Sequence, residues 1–519
     1  MSTREAAPTS ADGPDTTSDK RSIILVFVGL MITMLLASLD QMIFSTALPT
    51  IVGELNGVNH MVWVTTAYIL ASTIMMPVYG KLGDLIGRKG LFIGAISIFI
   101  LGSVIGGLSH DMTTLIAGRA VQGLGGGGLI LLSQAIIADV VPARQRGRYM
   151  GAMGGVFALA SVAGPLLGGW FTEGIGWRWA FWINVPLGLL AIASASAFLH
   201  LPKPKLGKPT IDYPGMILVA TSATCLILFT TWGGNTYEWG SAVIIGLIIG
   251  SIVSAIAFVM VERRATEPVI PMHLFSERNF VLTTTAGLII GIAMFGALAY
   301  LPTYIQMVTG KNATEAGLMM IPMMAGLLVS SIGSGQIVSK TGRYKAFPII
   351  GTSIVAVSLV LLSRLTPSTS LAVFGIYIAV MGVGLGLVMQ ILILIVQNTF
   401  PAAEVGTATA SNNFFRQIGA SLGSAIVGSL FASRLSNLLA ERLPTGGGGV
   451  GGEENSLTPG ILWKLPDQIR EIIVGAYNDA LAPIFMYLVP LVIAAVVLLL
   501  FVKEKPLATT IDRSAASIE

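Results

Sequence analysis

The sequence predicts an all-α integral membrane protein: two six-helix pseudo-symmetric bundles plus two extra central helices, fourteen transmembrane helices in all, with both termini cytoplasmic. Three observations predict it. Of 519 residues, 54% are hydrophobic and 11% charged, against roughly 45–50% and about 25% in soluble domains; the mean hydropathy is +0.80. Apolar stretches of about 20 residues, long enough to cross ~30 Å of hydrocarbon, recur from Ile23 to Val502. The basic residues alternate between the intervening loops, as orientation across a membrane requires.

A polar leader, residues 1–20, reads as a disordered cytoplasmic tail, because it is poor in residues able to build a core. Residues 21–201 hold six spans, at 23–51, 60–80, 91–108, 113–138, 149–171 and 179–200. Residues 202–265 add a two-helix insertion with linkers, its spans at 214–232 and 240–261. Residues 266–432 supply the first five spans of the C-terminal bundle, at 281–306, 314–338, 346–363, 371–399 and 407–432. An extracellular loop, 433–479, contains the glycine tract TGGGGVGG and the segment LPDQIREIIVGAY, expected as a short amphipathic helix. The last span is 480–502 and a cytoplasmic tail, 503–519, follows. With the N-terminus inside, 21 of the 30 Lys and Arg fall inside, 7 outside and 2, Arg119 and Arg416, within spans. That split fits an even number of spans in a cell membrane.

The halves echo one another. GKLGDLIGRKG at 80–90 recurs as GQIVSKTGRYK at 335–345, each in the second span-to-span loop of its six-span half. Repeated halves are how alternating-access transporters are built. The echo places Ser339 where the first copy has Asp84.

The ordered motifs resemble the major facilitator superfamily, specifically its fourteen-helix drug:proton antiporter branch. GKLGDLIGRKG, with Gly80, Asp84, Gly87, Arg88 and Lys89, is similar to the superfamily's loop signature, and LIAGRAVQGLGGG, with Arg119 and Gln122, to its fourth-helix signature. ASVAGPLLGG, with Gly164, Pro165, Gly168 and Gly169, resembles the fifth-helix antiporter motif, with Ala160 in place of its first glycine. LDQMIFSTALPTI and WRWAFWINVPLG resemble the first-helix motif and the start of the sixth. The resemblance implies a proton-coupled exporter of small lipophilic or cationic compounds, working as a monomer and needing no cofactor beyond the transmembrane proton gradient. Membrane lipid and protons are its other partners. An exporter of an endogenous metabolite, lipid or siderophore fits the same motifs.

Each motif also has a physical content. Gly164, Gly168 and Gly169 strip side chains from one helix face and Pro165 permits a bend; ordinary close packing would use them equally. The resemblance implies that this contact seals the N-half against the C-half. Asp84 and Arg88, four apart, form at least a surface ion pair. The resemblance implies that Asp84 instead faces the start of a C-half helix opening near Val405, whose free amides favour a carboxylate, and so latches the inner gate.

Asp40 is the one carboxylate deep in a span, where insertion costs about 2.5–3.5 kcal/mol. Helix geometry puts it roughly 7 Å outward of its span's middle and Arg119 roughly 10 Å on the same side, so the two can meet. A buried ion pair that fixes packing and a proton-coupling site are the alternatives. Arg416 has no acidic residue in the spans of its half and would be satisfied by carbonyls and by Asn412 or Asn413, or serve substrate. Met42, Phe44, Tyr68, Gln122, Phe295, Tyr300, Tyr304 and Asn413, with Arg416, are candidates for an adaptable cavity wall, aromatic and thioether groups being suited to varied ligands; packing against neighbours or lipid is the alternative.

Other classes are disfavoured. The basic residues sit in short inter-span clusters, so the pI of about 9.1 describes topology rather than a nucleic-acid surface. GGGG at 125–128 lacks the Lys-Ser/Thr of a phosphate-binding loop, no HExxH occurs, and no charge ring or re-entrant filter marks a channel. The single cysteine, Cys225, excludes an internal disulfide.

Overall fold

A computed structural model describes residues 16–55, 60–201, 210–234, 236–442 and 459–509. Most of the leader, the glycine tract and the end of the tail lie outside the described residues. Among those described, the N-terminal bundle consists of α1 (Thr16–Glu54), α2 (Met61–Ile86), α3 (Arg88–Gly107), α4 (Met112–Val140), α5 (Ala143–Trp170), α6 (Trp179–Trp182) and α7 (Asn184–Phe198). The inserted pair is α8 (Tyr213–Trp232) and α9 (Ala242–Glu262). The C-terminal bundle contains α10 (Arg278–Leu298), α11 (Leu301–Thr309), α12 (Ala313–Leu318), α13 (Ile321–Thr341), α14 (Ala346–Leu362), α15 (Leu371–Thr399), α16 (Val405–Arg442), α17 (Pro459–Leu462) and α18 (Asp467–Leu500). Among the described residues thirteen helical stretches are long and apolar enough to cross a membrane, and the apolar Ala346–Leu362 helix is a shorter fourteenth.

Three predicted spans are broken, each beside a proline that cannot donate to the preceding turn. The sixth divides at Ile183, three residues before Pro186; the ninth divides at Ala299–Tyr300, before Pro302; the tenth divides at Met319–Met320, before Pro322. The outer loop is also shorter than expected. With no helix breaker between Val405 and Arg442, α16 continues out of its span. LPDQIREIIVGAY is no separate amphipathic helix: after Pro466 it forms the first turns of α18, continuous with the last span.

Each bundle packs around its fourth or fifth span. In the N-half, α4 lies against α2 and α3, and α1 against α5 and α7; in the C-half, α10 lies against α16, and α15 against α13 and α14. At the outer end Glu54 accepts hydrogen bonds from Arg178 Nη1 and Trp177 Nε1, both 2.8 Å, which hold its carboxyl below the usual range. The inserted helix α8 touches α2 and α16, one helix from each bundle.

The bundles meet mainly at the face carrying the basic loops, through two pseudo-symmetric pairs. The end of α13 packs on the start of α5, and the end of α2 on the start of α16. Beyond α18 the chain stays on that face, where Val502 and Leu507 are buried.

Candidate functional site: a buried carboxylate and an inter-bundle latch

Asp40 is fully buried, as are Ser103, Arg119, Gln122 and Asn184 around it. The structure brings Asp40 and Arg119 together: Arg119 Nη1 lies 2.5 Å from Asp40 Oδ2. Gln122 Nε2 donates to Asp40 Oδ1 at 2.6 Å and Asn184 Nδ2 to the same oxygen at 3.0 Å. Ser103 Oγ accepts from both amides, at 2.9 and 3.2 Å. Arg119 also donates to Gln122 Oε1 (2.6 Å) and the Val64 carbonyl (3.4 Å). Its guanidinium is sandwiched between Phe44 and Tyr68, 4.2 and 4.4 Å from the ring centroids.

The cage draws on α1, α2, α3, α4 and α7, yet lies entirely within the N-terminal bundle. Asp40 accepts one hydrogen bond from each of three side chains, so its carboxylate ties α1 to α4 and α7.

Asn184 and Ser103 were not singled out by sequence. Asn184 reaches Asp40 from the first turn of α7, just after the Pro186-associated break. No periodicity would reveal that placement.

The second constellation joins the bundles. Asp84, at the end of α2, accepts from Gly406 N (3.1 Å), Thr407 N (2.7 Å) and Thr407 Oγ1 (2.7 Å) at the start of α16. The unpaired amides and positive dipole end of α16 suit a carboxylate. Arg88 Nη2 pairs with Asp84 at 2.6 Å, while its Nη1 pairs with Asp139 and donates to the Ala135 carbonyl. Gly80 makes the approach: a Cβ there would meet the Gly406 carbonyl at 3.0 Å. Gly87 takes φ +96°, a left-handed turn that favours glycine, between α2 and α3. Lys89 Nζ donates to the Ser196 carbonyl within its own bundle, 2.9 Å away.

The fifth-span glycines face elsewhere than the resemblance implied. A Cβ on Gly164 would meet the Met42 backbone at 3.1 Å and one on Gly168 the Ile43 carbonyl at 2.9 Å, so both seat α5 on α1, beside Asp40. Gly169 faces open space, and Pro165 alone approaches the C-half, near Gly317. The inter-bundle seal of α5 uses an earlier run, Gly147, Gly151, Gly154 and Gly155, against Leu328, Ser331, Gly335 and Val338. That four-residue spacing of small residues was legible in GRYMGAMGG.

The proposed cavity residues separate into groups. Phe44, Tyr68 and Gln122 belong to the Asp40 cage, and Met42 packs on Gly164. Tyr304 donates to Asn478 Oδ1 (2.7 Å), Tyr300 donates to the Ser424 carbonyl (3.3 Å), and Phe295 packs on the C-half core. These three lie on or between α10 and α11 and pack into the core of the C-terminal bundle, whereas the cage lies within the N-terminal one. Asn413 Nδ2 crosses to Gln134 Oε1 of the N-half at 2.8 Å, and its Oδ1 accepts from Arg416 Nη2 at 2.8 Å. Among the described residues no carboxylate pairs with Arg416.

Two pseudo-symmetric helical bundles sealed at one face around buried charge define a membrane transporter. The Major Facilitator Superfamily profile matches residues 30–424, and the chain belongs to that superfamily. An uncharacterised MFS-type transporter of Mycobacterium tuberculosis is 42% identical, over 98% of this chain and 73% of the relative. The Multidrug transporter protein MdtP of Bacillus subtilis is 38% identical over 81% of this chain and 77% of its own. The crystal structure of the human organic anion transporter MFSD10 has the same fold, with a TM-score of 0.60 at 15% identity, covering 94% of this chain and all of that one.

Proposed function

We propose that this transporter is a proton-coupled antiporter that exports small lipophilic or cationic compounds from the cell by alternating access. The observation that carries the proposal is Asp40, an acid buried within a span and held by a cation and two amides on two other helices. An antiporter needs a group that holds a proton in one conformation and loses it in another. The acids at the inner gate, Asp84 and Asp139, fall at the ends of α2 and α4; Asp40, deep in its span, is then the proton carrier and Arg119 its counter-charge.

The cycle follows from the two constellations. With the Asp84 latch closed, the basic face, assigned to the cytoplasm, is shut. Protonation of Asp40 releases Arg119 and the amides and loosens the seat of α1 on α5; the bundles then rock until the latch parts and the proton leaves inward as cargo binds. The gradient is the only energy source this requires. The protein acts as a monomer in the lipid of the cell membrane, with no role for nucleic acid. Phe44, Tyr68 and the Asn413–Arg416 pair are the groups assigned to cargo contact.

The test uses purified protein in liposomes under an imposed pH gradient, with dye uptake and lumenal pH followed together. Asp40→Asn should abolish gradient-driven uptake while the protein remains folded, because the neutral isostere keeps the amide contacts and lowers the membrane penalty. Wild-type exchange by this variant would remove Asp40 from the coupling role and leave Asp139 as the next acid to test.

A further inference from the structure

The chain beyond α18 is tied down residue by residue. Lys503 exchanges two hydrogen bonds with the Asn279 side chain, at 2.8 and 2.9 Å. Glu504 accepts from the backbone amides of Tyr344 (2.7 Å) and Lys345 (3.2 Å). The Tyr344 hydroxyl accepts from Lys505 N at 2.6 Å and donates to Lys505 O at 3.1 Å. Asn398 donates to the carbonyls of Lys505 and Pro506. All these partners belong to the C-terminal bundle, and so do most residues of the core cluster that contains Leu507, which also takes in Ala143 and Ala158 of α5.

The next contact changes bundle. The backbone N–H of Arg144, in the first turn of α5, donates to the Ala508 carbonyl at 3.0 Å. Arg144 follows the N-cap Pro142 by two residues, so its amide has no partner within the helix. The tail supplies the missing acceptor.

We propose that residues 503–508 form a strap that holds the basic face closed, an arm carried by the C-terminal bundle with its tip on the N-terminal one. The proposal rests on the alternating-access reading. When that face opens, the start of α5 moves away from α13. The tip follows no further than its anchors allow, since Asn398 holds the Pro506 carbonyl two residues before it and two residues span only about 7 Å. The contact therefore breaks in every cycle, and its loss shifts the closed-to-open ratio by roughly two- to tenfold, the worth of one net backbone hydrogen bond.

Two truncations isolate the tip. A chain ending at Thr510 keeps the strap; one ending at Pro506 keeps the anchors at Lys503, Glu504 and Lys505 and loses Leu507 and Ala508. With spin labels at Gly90 and Arg343 in a Cys225→Ser background, the chain ending at Pro506 should show a two- to tenfold larger population of the long inner-face distance. Superimposable distance distributions would overturn the strap. Should the shorter chain fail to insert, the full-length Arg144→Cys/Ala508→Cys protein decides. Oxidation should leave a single short distance that reduction reverses, and a cross-linked protein that still samples the long distance, or a pair that does not cross-link, refutes the proposal. These distances are read without cargo or a pH gradient, so a negative result leaves the Asp40 assignment standing.

Discussion

The contact of α2 with α16 and that of α13 with α5 occupy equivalent places in the two halves, yet they hold by different means. Both bring backbones together over small residues: Gly80 against Gly406 in one, Gly147 and Gly151 against Ser331 and Gly335 in the other. At the first, Asp84 adds a carboxylate that takes three donors from the start of α16. At the second, the equivalent Ser339 offers only a hydroxyl, which accepts from Arg148 N at 3.0 Å and reaches the Gln145 carbonyl at 3.4 Å. The two contacts thus share a geometry, with the carboxylate on one side only; on the other the Arg144 guanidinium donates to the Ser339 and Lys340 carbonyls. Packing closes both contacts, and the carboxylate makes one of them a latch.

The comparison can be broken in four ways, beginning with the largest effect. Gly151→Leu should nearly abolish transport and the closed state, because its side chain would enter the Ser331 backbone; inner-face distance measurements should find no closed population, and normal turnover would show that this packing is dispensable. Asp84→Ala removes hydrogen bonds to a charged group, worth about 1.5–3 kcal/mol each. Turnover should fall at least tenfold while dye binding in detergent persists, and equal loss of both would place Asp84 at the cargo site. Ser339→Asp tests whether position alone makes a latch: with the Arg148 amide and the Arg144 guanidinium beside it, the new carboxylate should favour the closed state and slow turnover several-fold. Ser339→Ala should be mildest, costing about 1 kcal/mol or less, seen as a change in turnover under fivefold.

The sequence carried the spans well because hydropathy and loop charge report on the bilayer and need no knowledge of packing. It also carried the meeting of Asp40 with Arg119, since two charges at one depth in hydrocarbon have few other partners. Asn184 escaped because its place depends on a helix break in another span. The direction of Gly164 and Gly168 escaped for a related reason: glycine spacing shows that a helix face is bare, while only the fold shows which neighbour fills it. The strap escaped because, Glu504 apart, its hydrogen bonds run to its own backbone groups, which every sequence possesses.

The inserted pair makes the two flanks of the fold unlike. Between two bundles in a bilayer there are two lateral seams. Along the α2–α16 seam, α8 lies like a batten: Trp232 packs on Trp63 of α2 at one end, with ring centroids 5.6 Å apart, and Val219 and Ala223 share a core cluster with Ala408 and Phe414 of α16. Near the other end, Lys81 of α2 is held 2.6 Å from Glu267 in the linker after α9. Among the described residues no helix lies across the opposite seam, between α5 and α13, in this way. The two flanks are therefore unlike, one carrying a helix pair along its seam and the other closed by its own glycines alone, in a fold whose two halves are otherwise repeats.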